Sequence, residues 1–404
     1  MTTADDVLRY RDRELSLVRL DADRRAWNAA DRHVLAHLEE QPPDGPVLII
    51  DDAHGALTVA LHEYRPTHLG DSVLAQKTTL HNLTAAELDS AQVTFLPATI
   101  GISEHAERQS QDLHSHSRDP DDGRASNREA QFALVLLRIP RSIALLRFYL
   151  NTLKPMIGSS TRVIAFGMTR HLSPNLKSLL AEELGAVRVS PVRQKSVLFH
   201  IQPEKLEVDA KALAPDRYPL TMDLIPEPWA QGVEIWSYPG VFSQKRLDMG
   251  TRLLLLNLPS APPGATIVDL GCGAGIVGLS MARRKPDAKV ILVDDSFLAS
   301  RSAELTLSHN EVKAEVRADD GLSSFEPGSI DVIVSNPPIH DGGAYEVEES
   351  LRLLRQAAAA LRKPGSLRVV SVHGADLGTH LQEIFPRVSR VASDRRFAVW
   401  SASY

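Results

Sequence analysis

The stretch Thr266-Ile-Val-Asp-Leu-Gly-Cys-Gly-Ala-Gly-Ile-Val-Gly278 restricts the fold more than any other part of the chain. An apolar run closing on Asp269 suits a buried strand, and the residues from Ile276 onward suit a helix. Between them, Gly271, Gly273 and Gly275 make a turn that tolerates positive φ and lets a ligand approach the backbone. The amides exposed where the helix starts complete a nucleotide-type site. The spacing Gly273-Ala-Gly275-Ile-Val-Gly278 also satisfies the dinucleotide fingerprint, so this segment alone leaves the cofactor open.

Two later segments narrow the choice. Val290-Ile-Leu-Val-Asp294 reads as a second strand with a carboxylate at its end. Asp294 can accept both hydroxyls of a ribose, whereas the side chain of Asp295 should point to the other face of the strand. Ile330-Asp-Val-Ile-Val-Ser-Asn336-Pro337-Pro338 reads as a further strand ending in a turn stiffened by two prolines. The Asn336 side-chain carbonyl and a neighbouring backbone carbonyl offer two acceptors to one exocyclic amine. They would orient its hydrogens and aim its lone pair at an electrophile, which aligns a displacement without a covalent intermediate. A hydride-transfer enzyme has no use for such a clamp.

At roughly 150 residues per domain, 404 residues imply two or three domains. Strand-like runs at 47–50, 133–137 and 161–166 alternate with helical patterning, including 141–153, and predict a mostly parallel sheet flanked by helices. Prolines crowd the segment 202–238, which is expected to connect a domain at 1–201 to a domain at 239–404. Both halves repeat one plan of strand, loop and helix. Residues 103–131 are almost free of large apolar side chains and read as an exposed loop; His114 and His116 within it read as solvated rather than as metal ligands.

Charge is unevenly placed. The chain carries a formal -6, yet between Arg138 and His200 ten Lys and Arg face only Glu182 and Glu183. Such a basic segment in an acidic protein can serve as a docking face for phosphates. The single cysteine, Cys272, excludes an internal disulfide and a zinc site of several thiolates, and no metal is expected. Placed inside the glycine turn with no partner base, it reads as a small buried residue of the ligand loop. The polar, acidic start is no secretory signal, and no apolar run approaches the roughly 18 residues of a membrane span. A cytoplasmic protein is expected, without membrane partners, and a monomer.

The second half resembles class I S-adenosylmethionine-dependent methyltransferases of the Asn-Pro-Pro type. Nearly the whole chain is similar to the two-domain ribosomal RNA guanine-N(2)-methyltransferases. The resemblance rests on Pro239-Gly-Val-Phe-Ser243, Leu247-Asp-Met-Gly-Thr251, the glycine turn, Asp294 and Ser335-Asn-Pro-Pro-Ile-His-Asp-Gly-Gly343. In the first half it rests, more loosely, on Leu137-Arg-Ile-Pro140 and the Arg141-Ser-Ile-Ala-Leu-Leu that follows. The resemblance implies two tandem Rossmann-like domains, α/β, with mostly parallel seven-stranded sheets flanked by helices.

It also implies S-adenosyl-L-methionine as cofactor and ribosomal RNA or a ribosomal subunit as partner. Asp269, Gly271, Cys272, Gly273 and Gly275 would hold the methionine end, and Asp294 the ribose. Asp320, with Asp319 as a substitute, would reach the adenine amine, while Phe242, Asp248 and Thr251 would line the same cavity. Asn336 and Pro337, backed by Pro338, would grip the target amine, and His340 would relay its proton. The family's aromatic residue after Asn-Pro-Pro is Ile339 here, which gives up a base-stacking contribution of roughly 1–3 kcal/mol.

The first domain looks degenerate. Asp51-Asp-Ala-His-Gly55 stands in place of the glycine turn, and Arg138-Ile-Pro140 in place of Asn-Pro-Pro. Its expected task is RNA docking through Arg138, Arg141 and Arg147, ahead of folding support for the second domain. Rival readings are methylation of adenine or of a protein glutamine amide, or a non-catalytic RNA-binding or ribosome-assembly factor.

Overall fold

The computed structural model describes residues 7–22, 25–102, 131–337 and 344–404. Most of the expected loop at 103–131, with its two histidines, lies outside them. The chain forms two compact units, Met1–Ala214 and Pro215–Tyr404.

The first unit opens with a hairpin, β1 (Val7–Tyr10) and β2 (Arg13–Ser16), and the helix Ala29–Glu40. That helix starts in a capping box: Asn28 accepts from the Ala30 amide while Asp31 accepts from the Asn28 amide. The sheet follows: β3 (Val47–Ile50), β4 (Thr67–Gly70), β5 (Thr94–Pro97), β6 (Leu134–Arg138), β7 (Arg162–Met168), β8 (Val187–Val189) and β9 (Ser196–Ile201). Its order is β5-β4-β3-β6-β7-β9-β8. The first five strands pair in parallel, and β9 joins β7 and β8 antiparallel. The apolar runs at 47–50, 133–137 and 161–166 thus fall on β3, β6 and β7, and the helical pattern at 141–153 on the helix Ile143–Leu153.

The second unit carries β12 (Thr266–Leu270), β13 (Lys289–Asp294), β14 (Glu315–Ala318), β15 (Ile330–Ser335), β16 (Leu361–Val372), β17 (Arg387–Ser393) and β18 (Phe397–Ser403). Their order, β14-β13-β12-β15-β16-β18-β17, repeats that of the first unit strand for strand. Two sheets of seven strands with one topology match the duplicated plan visible in the sequence. The central strands are buried almost throughout, since helices such as Ile276–Arg284 and Ala344–Ala360 cover parallel sheets. Gly278 permits one of these contacts: a Cβ there would lie 2.4 Å from Leu292 Cγ of β13.

The proline-rich segment departs from expectation. It is not a free connection, because the boundary falls at Ala214 and the rest belongs to the second unit. There β10 (Asp216–Pro219) and β11 (Glu234–Ser237) form an antiparallel hairpin. Three amides beside or within β11 are tied to the helix Phe297–His309 and the residue that ends it. Glu234 donates to Asn310 Oδ1, Trp236 to Thr306 Oγ1 and Tyr238 to Ser302 Oγ, at 2.9–3.1 Å. A two-stranded edge accepts prolines that a central strand could not, which is why composition alone misreads it.

Candidate active site

In the second unit the sheet order reverses between β12 and β15, and at such a switch point open α/β sheets bind ligands beyond the carboxyl ends of their strands. Register brings the predicted residues to one level there. Leu270 pairs with Val293 of β13 and with Ser335 of β15, so the next residues, Gly271, Asp294 and Asn336, stand side by side. Ser335 Oγ donates to the Leu270 carbonyl at 2.8 Å and pins two of these ends together.

The glycine turn takes the strained shape its composition allows. Gly271, Gly273 and Gly275 have φ of 73°, 52° and 81°. A Cβ on Gly271 or Gly273 would meet nothing within 4 Å, so these two border open space in which a ligand can rest against bare backbone. Asp294 braces the turn, accepting from the Gly273 amide at 2.8 Å and, through its other oxygen, from the Ser296 amide at 2.9 Å. Asp269 lies beneath, 2% exposed, accepting from the Gly278 amide at 2.7 Å. Burial raises its carboxyl to about 7, against the pull of that amide. Burial also pushes the Cys272 thiol well above its ordinary value, so it packs in the loop and is no nucleophile.

Asp320 is buried just beyond β14 and pairs with Arg352 at 2.6 Å, a partner on the helix Ala344–Ala360 that also holds Glu349. Asp319 accepts from the Asp320 amide and from Ser323 Oγ. Phe242 is 46% exposed on the segment between β11 and the helix Met249–Leu255. Pro337 is buried; Pro338, Ile339 and His340 lie outside the described residues.

Asp248 and Thr251 acquire a more specific place than the lining of a cavity. Asp248 caps the helix Met249–Leu255, accepting from the Thr251 amide at 2.9 Å and contacting its hydroxyl at 3.4 Å. Thr251 Oγ1 in turn accepts from Asn336 Nδ2 at 2.9 Å. The amide of Asn336 therefore has its nitrogen engaged and its carbonyl oxygen turned to other partners. Asp-x-x-Thr before an apolar run is legible as a helix start, but its bond to Asn336 spans 85 positions and is not. Arg352 was equally hidden.

The first unit has the same levels with different occupants. Ile50 pairs with Leu69 and Leu137, so Asp51 and Arg138 stand where Gly271 and Asn336 stand in the second unit. Arg138 fills this place with a largely buried guanidinium, its side chain 18% exposed, donating to the Asp51 carbonyl at 3.1 Å, pairing closely with Asp31 and lying 3.8 Å from Asp52. Arg138, expected to dock RNA, instead has its charge engaged by the interior carboxylates of Asp31 and Asp52. Arg147 is likewise bound to Glu182 and Glu183, the acids that oppose the basic segment. Of the three arginines, Arg141 is exposed. Burial raises the Asp51 carboxyl to about 6 although Arg138 opposes it. Among the described residues no cluster could hold a metal ion, and no helix is long and apolar enough to cross a membrane.

A glycine-turned first strand, a carboxylate on the second and Asn-Pro on the fourth, set on this sheet order, define a class I S-adenosylmethionine-dependent methyltransferase. Residues 232–401 match the family model "Methyltransferase small domain" and residues 5–205 the "RLMG N-terminal domain". A "Ribosomal RNA large subunit methyltransferase G" from Streptomyces griseus is 34% identical over 387 residues, 94% of this chain and 93% of its own length. A protein of the same description from Cronobacter sakazakii is 32% identical over 381 residues, 93% of this chain and 91% of its own. The chain belongs to this family of two-domain ribosomal RNA methyltransferases. Its fold is shared with the T. thermophilus 16S rRNA N2 G1207 methyltransferase, solved with AdoMet and guanosine. That structure has a TM-score of 0.69 and 21% identity, covering 98% of this chain and 97% of its own.

Proposed function

We propose that the second unit methylates the exocyclic N2 amine of a guanine in large-subunit ribosomal RNA, in the cytoplasm, while the first unit serves RNA docking. The observation that carries this reading is the fixed amide of Asn336. With Nδ2 donating to Thr251 Oγ1, the oxygen Oδ1 is left to accept a hydrogen from a planar amine. A backbone carbonyl of the Asn336-Pro337 turn accepts the second hydrogen, so the nitrogen lone pair points toward the glycine turn. S-adenosylmethionine, when bound, supplies an electrophilic methyl group on a sulfonium.

The residues present fit that cofactor: open space over Gly271 and Gly273 receives its chain, Asp294 its ribose hydroxyls and Asp269 its ammonium. Asp320, charge-balanced by Arg352, is assigned the adenine amine. Pro337 limits the turn so that Asn336 need not reorganise during transfer. The proton leaving the amine passes to water or to His340. Arg138, in the corresponding place of the first unit, has only donors where Asn336 offers an acceptor.

Transfer of a radiolabelled methyl group to large- and small-subunit RNA, naked and in subunits, tests this, with Asn336→Ala alongside and nucleoside analysis of the product. Label as N2-methylguanosine in large-subunit RNA, absent with the variant, is expected. Label in protein, or in another nucleoside, would overturn it.

A further inference from the structure

At the antiparallel edge of the first unit, Arg188 of β8 lies directly opposite His200 of β9, so both side chains leave one face of the sheet. The helix Ala29–Glu40 packs on β9 and β7. Its His33 Nδ1 is 3.0 Å from Ser196 Oγ, and its His37 ring meets that of His200 edge-on at 4.8 Å. Its Arg32 donates to Gln194 Oε1 at 2.6 Å, beside exposed Arg193 and Lys195. Arg162, at the start of β7, is anchored on the carbonyls of Gln41 and Pro42 and borders the same histidines.

Four arginines thus converge: Arg32, Arg162, Arg188 and Arg193. Glu40, beside His37, opposes them. Among the described residues Arg188 and Arg193 pair with no carboxylate, in contrast to Arg138 and Arg147 of the same unit. Burial first, and then the guanidiniums, lower the proton affinity of His33 and His37; burial, then His37, and only then Arg188 and Arg162 hold His200 at about 4. Cations gathered this densely repel one another, and a bound polyanion relieves that repulsion. Planar guanidinium forks also match phosphate oxygens bidentately.

We infer that this face, with Arg32, Arg188 and Arg193 exposed and Arg162 half-buried beside them, docks the phosphate backbone of the RNA substrate. The inference rests on the ribosomal RNA reading above and relocates the docking residues to a different part of the basic segment. Arg188 and Arg193 make the principal contacts, since the Arg32 guanidinium is engaged by Gln194.

The full chain is compared with Arg188→Glu/Arg193→Glu and with Arg188→Lys/Arg193→Lys. Affinity for large-subunit RNA is measured against salt, together with methyl transfer and cofactor affinity. The charge reversal should weaken RNA binding at least about 10-fold and lower the salt slope by about 1.5–2, as two lost phosphate contacts require. Cofactor affinity should stay within 2-fold, and the lysine variant should keep most of the slope because it keeps the charge. Unchanged affinity and slope in RNA that the wild type methylates would overturn the inference alone. Undiminished RNA binding beside weakened binding to whole subunits would overturn it in favour of an acidic protein partner. If the wild type transfers no methyl to RNA yet the reversal still releases RNA, the docking face stands and the catalytic reading falls. If the wild type binds no RNA, both fall.

Discussion

Asn336 Nδ2 donates to Thr251 Oγ1 at 2.9 Å, joining the end of β15 to the first turn of the helix Met249–Leu255. An asparagine amide can flip, and either orientation would fit the same space. The Thr251 hydroxyl donates its proton to Asp248 Oδ2 at 3.4 Å, which leaves it an acceptor and so selects the orientation with Nδ2 toward it.

Thr251→Val keeps shape and burial while removing that acceptor. The rate of methyl transfer should fall about 10- to 100-fold, equivalent to about 1–3 kcal/mol for a lost buried partner. Cofactor affinity should change less than 2-fold, and Thr251→Ser should restore most of the rate. Single-turnover kinetics with a parallel cofactor titration would check it; a matching loss of cofactor affinity would refute the orienting role.

Gly273→Ala and Gly278→Ala should separate binding from stability. At Gly273 the added methyl enters open space at a φ of 52°, so cofactor affinity should drop at least about 10-fold while folding loses about 1 kcal/mol. At Gly278 it collides with Leu292, and thermal stability should fall by several degrees, as about 1–3 kcal/mol of overpacking would cause. Calorimetry of both variants, with and without cofactor, distinguishes the two effects.

Asp269 sets a pH dependence with a definite sign. Its folded carboxyl, raised from 3.8 to about 7 by burial, favours the neutral form. Its contribution to stability is therefore full below the unfolded value and is lost as pH rises through about 7. Cofactor affinity should run the other way, increasing across that range as the carboxylate forms to meet an ammonium. Asp269→Asn should flatten both curves, measured by thermal unfolding and by calorimetric titration from pH 5 to 8. Asp51, raised by burial to about 6, adds to the wild-type curve of stability and persists in the variant, so the difference isolates Asp269.

Arg138→Met should destabilise the first unit by about 3–5 kcal/mol at neutral pH, because Asp31 and Asp52 would be left buried without their cation. Urea unfolding should show the deficit shrinking toward acid pH, where the Asp31 carboxyl, raised by burial, can protonate. A variant as stable as the parent would mean that water reaches the cluster.

The glycine turn, Asp294 and Asn336-Pro337 were legible because each is a local pattern at the end of an apolar run, and backbone chemistry dictates what such a pattern can do. The duplicated sheet was legible for the same reason: buried parallel strands spell themselves as β-branched and leucine runs. The hairpin of 216–237 was hidden by its prolines, since whether a proline breaks a strand or sits at its edge depends on neighbours distant in sequence.

Charge shows the limit most plainly. Ten cations in one segment predict a basic domain, but sequence cannot tell Arg138, sealed against Asp31, from Arg188, facing outward opposite His200. The local order of strands, turn and helix, and with it the class of chemistry, is set by residues within a few positions of one another. Which arginine stays free, and which way the Asn336 amide points, is decided by contacts between residues tens to more than a hundred positions apart, because only packing brings those charges and hydrogen-bonding groups within reach.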